Sequence, residues 1–348
     1  FAAAEFKERQ KKYDEAIALC REILDRIERD TVIARSPKSD IYKLQGWVTL
    51  MEIYEQKPDP DKMKETIFHA VRFVPELHIE PADSVNFLTY SSVIYRNQGH
   101  IFITQNEPAK AAEALTKSLV YTELLIKRDT SAKGSLCNIL PEIAQCSFNA
   151  GDTATAFRRY REATTVMKHM LAKRKDPDPE NKEILGQTLN SFGAAAFLAG
   201  DLQIASDALN QARDIFRSML GADDKPDVQS AFVTTSVNLL ATRHRARAVG
   251  QAETLYAEMY TMLEQNQSLD DIQTFFSEAH KYFDTVAVWR SKINADWVKL
   301  LYPRYKKGLG PDDLTMAQIN YFAGNAAFLD EQFEVAIPYI AESVALFK

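Results

Sequence analysis

The chain has 348 residues, 46% hydrophobic and 26% charged, with a formal net charge of −6 and a pI near 5.7. That acidic balance argues against wholesale nucleic-acid binding, which favours a basic face. No apolar run is long enough to span a bilayer, and no signal-peptide layout is present. Three cysteines, Cys20, Cys137 and Cys146, make an odd count without a CxxC or metal-ligand spacing; each sits in a helical pattern and is expected to be a small buried hydrophobe. A reducing compartment, cytoplasmic or nuclear, is the expectation.

Read in chain order, one pattern recurs around single alanines. A first copy surrounds Ala16, with Ala4 twelve before it and Cys20 four after. A poor copy is placed on Thr66. The pattern is sharp at Ala111, Ala156 and Ala205. Twelve before each stands a small residue, Gly99, Ala144 or Gly193. Five before stands a turn residue, Asn106, Gly151 or Gly200, followed at once by an acid, Glu107, Asp152 or Asp201. Four after comes a large residue, Leu115, Tyr160 or Leu209, and seven after a small one, Ser118, Ala163 or Ala212. Ala252 carries a weaker copy. Ala336 repeats most of the pattern, with Gly324 before it and Ile340 and Ser343 after. The steps between anchors are 50, 45, 45, 49, 47 and 84 residues, the last being two repeats with an unrecognisable one between, near Leu269 to Tyr302 and holding Trp289 and Trp297.

The small residue twelve before the anchor belongs to one helix and the anchor to the next. The turn between them holds Gly or Asn, the usual helix stop, and the acid opens the second helix, where the macrodipole favours it. Small residues at facing sites let the two helices approach, and the large residue fills the groove. A period of this length means a stack of antiparallel helix pairs. Helix pairs are predicted to break near Asn106, Gly151, Gly200 and Glu331, with no β-strand. Pro141 and Pro338 fall inside helical patterns and are expected to start or kink a helix.

These residues, best seen from Leu189 through Gly200 to Leu209 and Ala212, resemble the tetratricopeptide repeat (TPR) family in degenerate form. The family's tryptophan and repeat-end proline are missing from this copy, and the period exceeds the family's ~34 residues. The resemblance implies an all-α, right-handed α-solenoid of antiparallel helix pairs, one domain over residues 1–348 with seven or eight repeats. It also implies that first helices line a concave face, at positions eighteen, fifteen, eleven, eight and seven before each anchor. Those positions hold Arg96, His100, Asn138, Gln145, Asn149, Gln187, Asn190, His244 and Arg245, with Asn97 and Asn238 beside them, fourteen before their anchors. Phe148, Phe197 and Phe328 recur eight before theirs. The row is rich in amides, with a few cations and almost no acids.

No nucleotide-loop, metalloprotease, nucleophile-elbow or paired-cysteine signature occurs, and the six histidines are scattered. The chain is therefore read as non-catalytic, without cofactor or metal. The expected function is a protein-interaction scaffold holding a peptide or partner-protein segment, of acidic or neutral polar character, as a subunit or adaptor of a larger assembly. The alternatives are the regulatory region of a larger enzyme or signalling protein, and a peptide or small-ligand sensor. The two-carboxylate clamp of the family's chaperone-binding members cannot be assembled here. Two basic clusters, Arg243 to Arg247 and Lys168 to Lys175, end helices, where cations sit well. Ile337, Ile340, Val344 and Phe347 lack the polar capping element of a terminal repeat. The chain is accordingly expected to be a fragment of a longer protein or one whose end is covered by a neighbour, this apolar end either mediating self-association or being covered by a missing helix.

Overall fold

The computed structural model describes residues 1–30, 38–76, 84–173, 178–220, 226–265, 271–273, 275–277, 279, 287–308, 314–329 and 331–346. Among them there is no β-strand, and no helix long and apolar enough to cross a membrane. Two compact units are present, Phe1–Lys175 and Asp176–Lys348.

The N-terminal unit contains four helix pairs: α1 (Ala2–Arg9) with α2 (Tyr13–Arg29), α3 (Ser39–Gln56) with α4 (Pro60–Phe73), α5 (Ser84–Thr104) with α6 (Pro108–Arg128), and α7 (Leu136–Asn149) with α8 (Thr153–Ala172). The C-terminal unit contains α9 (Pro179–Ala199) with α10 (Leu202–Met219), α11 (Pro226–Arg245) with α12 (Val249–Gln265), then α13 (Ala287–Gly308), and α14 (Leu314–Leu329) with α15 (Phe333–Leu346). Helical residues between 271 and 279 precede α13. Pro141 and Pro338 lie inside α7 and α15.

Six of the turns within pairs share one design. The residue five before each anchor is left-handed: Lys11 (φ 59), Asn106 (φ 57), Gly151 (φ 87), Gly200 (φ 87), Arg247 (φ 58) and Glu331 (φ 60). The next residue donates its N–H back five positions, as in Asp152 to the Ser147 carbonyl (2.9 Å) and Asp201 to the Ala196 carbonyl (2.9 Å). This is the Schellman closure, which satisfies carbonyls a helix end leaves over. The following helix then starts on a side-chain cap where the sequence supplies one: Asp152 Oδ1 accepts from Thr155 N–H at 3.0 Å and Asp201 Oδ1 from Ile204 N–H at 3.1 Å. An added Cβ at Gly200 would touch nothing within 4 Å, so Gly200→Ala isolates backbone strain. It is expected to cost ~1 kcal/mol, read as a lowered melting temperature by circular dichroism.

The spacing of small and large residues becomes an interlock. A Cβ on Gly99 would lie 2.6 Å from Leu115 Cγ, one on Gly193 2.5 Å from Leu209 Cγ, and one on Gly324 2.5 Å from Ile340 Cγ1. The glycine is thus the socket for the branched side chain of the next helix. Anchors Ala16, Ala111, Ala156, Ala205, Ala252 and Ala336 are all buried, as are Cys20, Cys137 and Cys146, whose thiols are free.

The second repeat corrects the sequence reading. Thr66 is not its anchor: Met63 N–H bonds the Asp59 carbonyl at 2.9 Å, the bond each alanine anchor makes four residues back. Met51, Ile67 and Ala70 then fall twelve before, four after and seven after, and all three are buried. The anchor steps become 47 and 48 in place of 50 and 45. Pro58 hides this register in the sequence, because it stands where the left-handed residue belongs and proline cannot adopt a positive φ.

Candidate functional site

The candidate residues all lie on first helices, Arg96, Asn97, His100, Asn138 and Gln145 in the N-terminal unit and Gln187, Asn190, Asn238, His244 and Arg245 in the C-terminal unit. In the N-terminal unit, Arg96 and His100 lie one turn apart on α5 and so share a face. Both meet Glu142 of α7: Arg96 donates from Nη2 and Nε at 2.6 and 3.2 Å, and His100 Nε2 lies 3.1 Å from the carboxylate. Burial alone would raise the Glu142 pKa, but the bonds from His100 and Arg96 outweigh it and hold the carboxyl below its ordinary value. The expectation of a row almost without acids is therefore corrected. Glu142 stands fourteen before Ala156, the register that Asn97 and Asn238 occupy in their repeats, and supplies the counter-charge of Arg96.

That register has a common geometry. Each of the three residues reaches back to the first helix of the preceding pair: Asn97 Nδ2 to Met51 Sδ at 3.7 Å, Glu142 to Arg96 and His100, and Asn238 Nδ2 to Asn190 Oδ1 at 3.2 Å. Asn97 is buried beneath the face rather than displayed on it. Such links tie one helix pair to the next, and each uses a different chemistry.

Asn138, Gln145 and Asn149 remain exposed on α7. Tyr160 Oη of α8 donates to Gln145 Oε1 at 2.8 Å, and Gln145 Nε2 donates to Asn149 Oδ1 at 2.9 Å, so a core tyrosine orients two surface amides. Burial raises the pKa of the Tyr160 phenol, which stays a donor.

In the C-terminal unit, Gln187 is exposed and bonds Glu183 at 3.0 Å, and Asn190 and Asn238 are half-buried around their mutual bond. That bond leaves the Asn190 donor and the Asn238 acceptor uncommitted among the described residues. His244 is half-buried at the end of α11, beside Arg245. Arg245 donates to the Phe197 carbonyl at 3.0 Å and lies 5.1 Å above that ring. Its cation is spent on the C-terminal turn of α9, where the macrodipole is negative. Phe148 is half-buried, and Phe328 is exposed against Phe333 with ring centroids 5.4 Å apart. Gln318, eighteen before Ala336 and so in the same register, has a side chain outside the described residues.

One further feature had no clear signal in the sequence. The residue eight after the anchor is covered by the next helix pair: Leu119 is buried, and Arg213 is buried against Ser236 (3.2 Å) and the Phe232 ring (5.3 Å) of α11 and Glu258 (2.6 Å) of α12. On α15 the equivalent Val344 is 49% exposed, and Ile337 is 65% exposed. Ile337 and Val344 are thus exposed as expected, whereas Ile340 is half-buried against Gly324 and does not belong to the uncovered face; Phe347 lies outside the described residues. No group of three or more His, Cys, Asp or Glu side chains among the described residues is placed to hold a metal.

Neither a protein-family model nor a curated protein sequence matches this chain. Solved structures do. The apo form of RapI shares 8% identity, with 87% of this chain and 97% of that chain covered and a TM-score of 0.50. BtubC from P. vanneervenii shares 17% identity over 71% of this chain and 92% of its own, with a TM-score of 0.46. Aspartyl phosphate phosphatase F from Bacillus subtilis shares 11% over 99% and 92%, with a TM-score of 0.41. The RapI likeness bears on fold alone. This is an all-α helical-repeat chain.

Proposed function

We propose that the chain is a tetratricopeptide-type scaffold that holds an extended peptide segment against the outward face of its first helices and catalyses no reaction itself. The observation that supports this reading is the row of amides at repeated registers. Asn138, Gln145 and Asn149 are exposed on one unit, and Gln187, Asn190 and Asn238 are exposed or half-buried on the other. Amides both donate and accept, so they can pair with the N–H and C=O groups of an extended backbone. Packed helices lie ~8–10 Å apart and an extended chain rises ~3.3 Å per residue, so successive first helices within one unit would meet a bound segment about every third residue. Because Glu142 already neutralises Arg96, a neutral polar segment suits the N-terminal unit better than an acidic one.

The test is selection of linear peptides from a random display library on the immobilised chain, followed by fluorescence anisotropy with a selected peptide. Asn138→Ala with Asn149→Ala, or Gln187→Ala with Asn190→Ala, should weaken binding about tenfold, since each lost hydrogen bond contributes ~0.5–1.5 kcal/mol. A peptide that binds equally well to both double variants would exclude this face.

A further inference from the structure

The arginine-rich end of α11 divides in two. Arg245 reaches back along the first-helix face to Phe197. Arg243 and Arg247 instead line an open cavity of about 610 Å³ at the turn into α12, whose remaining walls are Ala248, Val249, Gly250, Gln251 and Thr254. No carboxylate lines that cavity. Neither arginine forms an ion pair among the described residues; the carboxylate that acts on Arg243, Glu258, is bonded to Arg213 and Arg217 at 2.6 and 3.5 Å.

Arg243 is held in place by neutral partners. Its Nη2 donates to Asn210 Oδ1 at 3.1 Å and its Nη1 to the Gln251 carbonyl at 3.2 Å, while Nε is buried without an acceptor. A partly buried guanidinium with no carboxylate bonded to it, beside a second cation, is an unbalanced arrangement. Burial and the charge of Arg213 accordingly hold its pKa below the usual arginine value. Arg247 is exposed in the left-handed turn position. The residue before α12 is Ala248, where Asp152 and Asp201 precede their helices, so this helix start lacks the carboxylate cap those two supply.

We propose that this cavity is a binding site for a phosphate group, with Arg247 as its flexible fork and Arg243 as its fixed charge. Guanidinium groups match phosphate oxygens in geometry and charge, and an anion here would supply the counter-charge that the lining lacks. The cavity is larger than a free phosphate, so it accommodates a group that carries one. This site is distinct from the amide row and does not depend on it.

The experiment uses the ¹⁵N-labelled chain, titrated with inorganic phosphate at ionic strength held constant with sodium chloride. A parallel titration uses a short serine-phosphorylated peptide and its unphosphorylated form. A saturable shift of the Gly250 amide resonance with phosphate, absent with chloride, is expected. Arg247→Gln should raise the dissociation constant at least fivefold while leaving the melting temperature of the free chain unchanged. Tighter binding of the phosphopeptide than of free phosphate assigns the site to a modified side chain; the reverse assigns it to a small phosphorylated ligand. No saturable shift with either probe, or binding unchanged in Arg247→Gln, overturns the proposal.

Discussion

Phe216→Ala is expected to destabilise the C-terminal unit by ~3–5 kcal/mol, the range for removing a buried aromatic side chain. Phe216 of α10 is fully buried. Its ring occupies the space a side chain would take at Gly186 of α9: a Cβ there would lie 2.7 Å from Cζ. The alanine variant therefore loses apolar burial and leaves a void whose glycine wall has no side chain to fill it. Equilibrium urea unfolding should show a much lower midpoint with an unchanged slope. A loss below ~1 kcal/mol would mean that α9 and α10 do not pack through this contact.

The same pair of positions shows how far the fold is legible. Gly186 stands nineteen before Ala205 and Phe216 eleven after. In the repeat of Ala111 these places are Ser92 and Thr122, whose hydroxyls bond at 2.7 Å. One contact is a ring in a glycine socket and the other a hydrogen bond, so no shared residue type marks it. The turn and the glycine–leucine interlock were readable because backbone geometry and close approach restrict the residues allowed there. Links between successive first helices carry no such restriction. Asn97 to Met51, Glu142 to Arg96 and Asn238 to Asn190 join residues 46 to 48 apart through unrelated chemistry. The register of Asn97 and Asn238 was visible, and it contained the signal for Glu142. The charge of Arg96 is answered from the next helix pair, so no single helix displays the pairing.

Glu142→Gln is expected to lower stability by ~1.5–3 kcal/mol near neutral pH, the usual worth of hydrogen bonds to a charged group, and the difference should vanish in acid. The sign follows from the depressed pKa of Glu142. A carboxyl held below its unfolded value contributes stability that is fully present above that value and is lost as pH falls through the folded one. Wild type therefore loses this contribution as pH falls below the ordinary carboxylate range, while the glutamine variant has no such contribution to lose, so the difference between the two unfolding curves closes. Urea midpoints at pH 7, 5 and 3 measure this directly. A difference that stays constant with pH would assign the cost to packing around residue 142 and not to its charge. The variant also reports on binding. With Glu142 neutral, Arg96 loses its counter-charge on the outward face of α5. Peptides selected on the variant should then shift toward acidic sequences, in a salt-dependent way. An unchanged selection would place the bound segment away from Arg96.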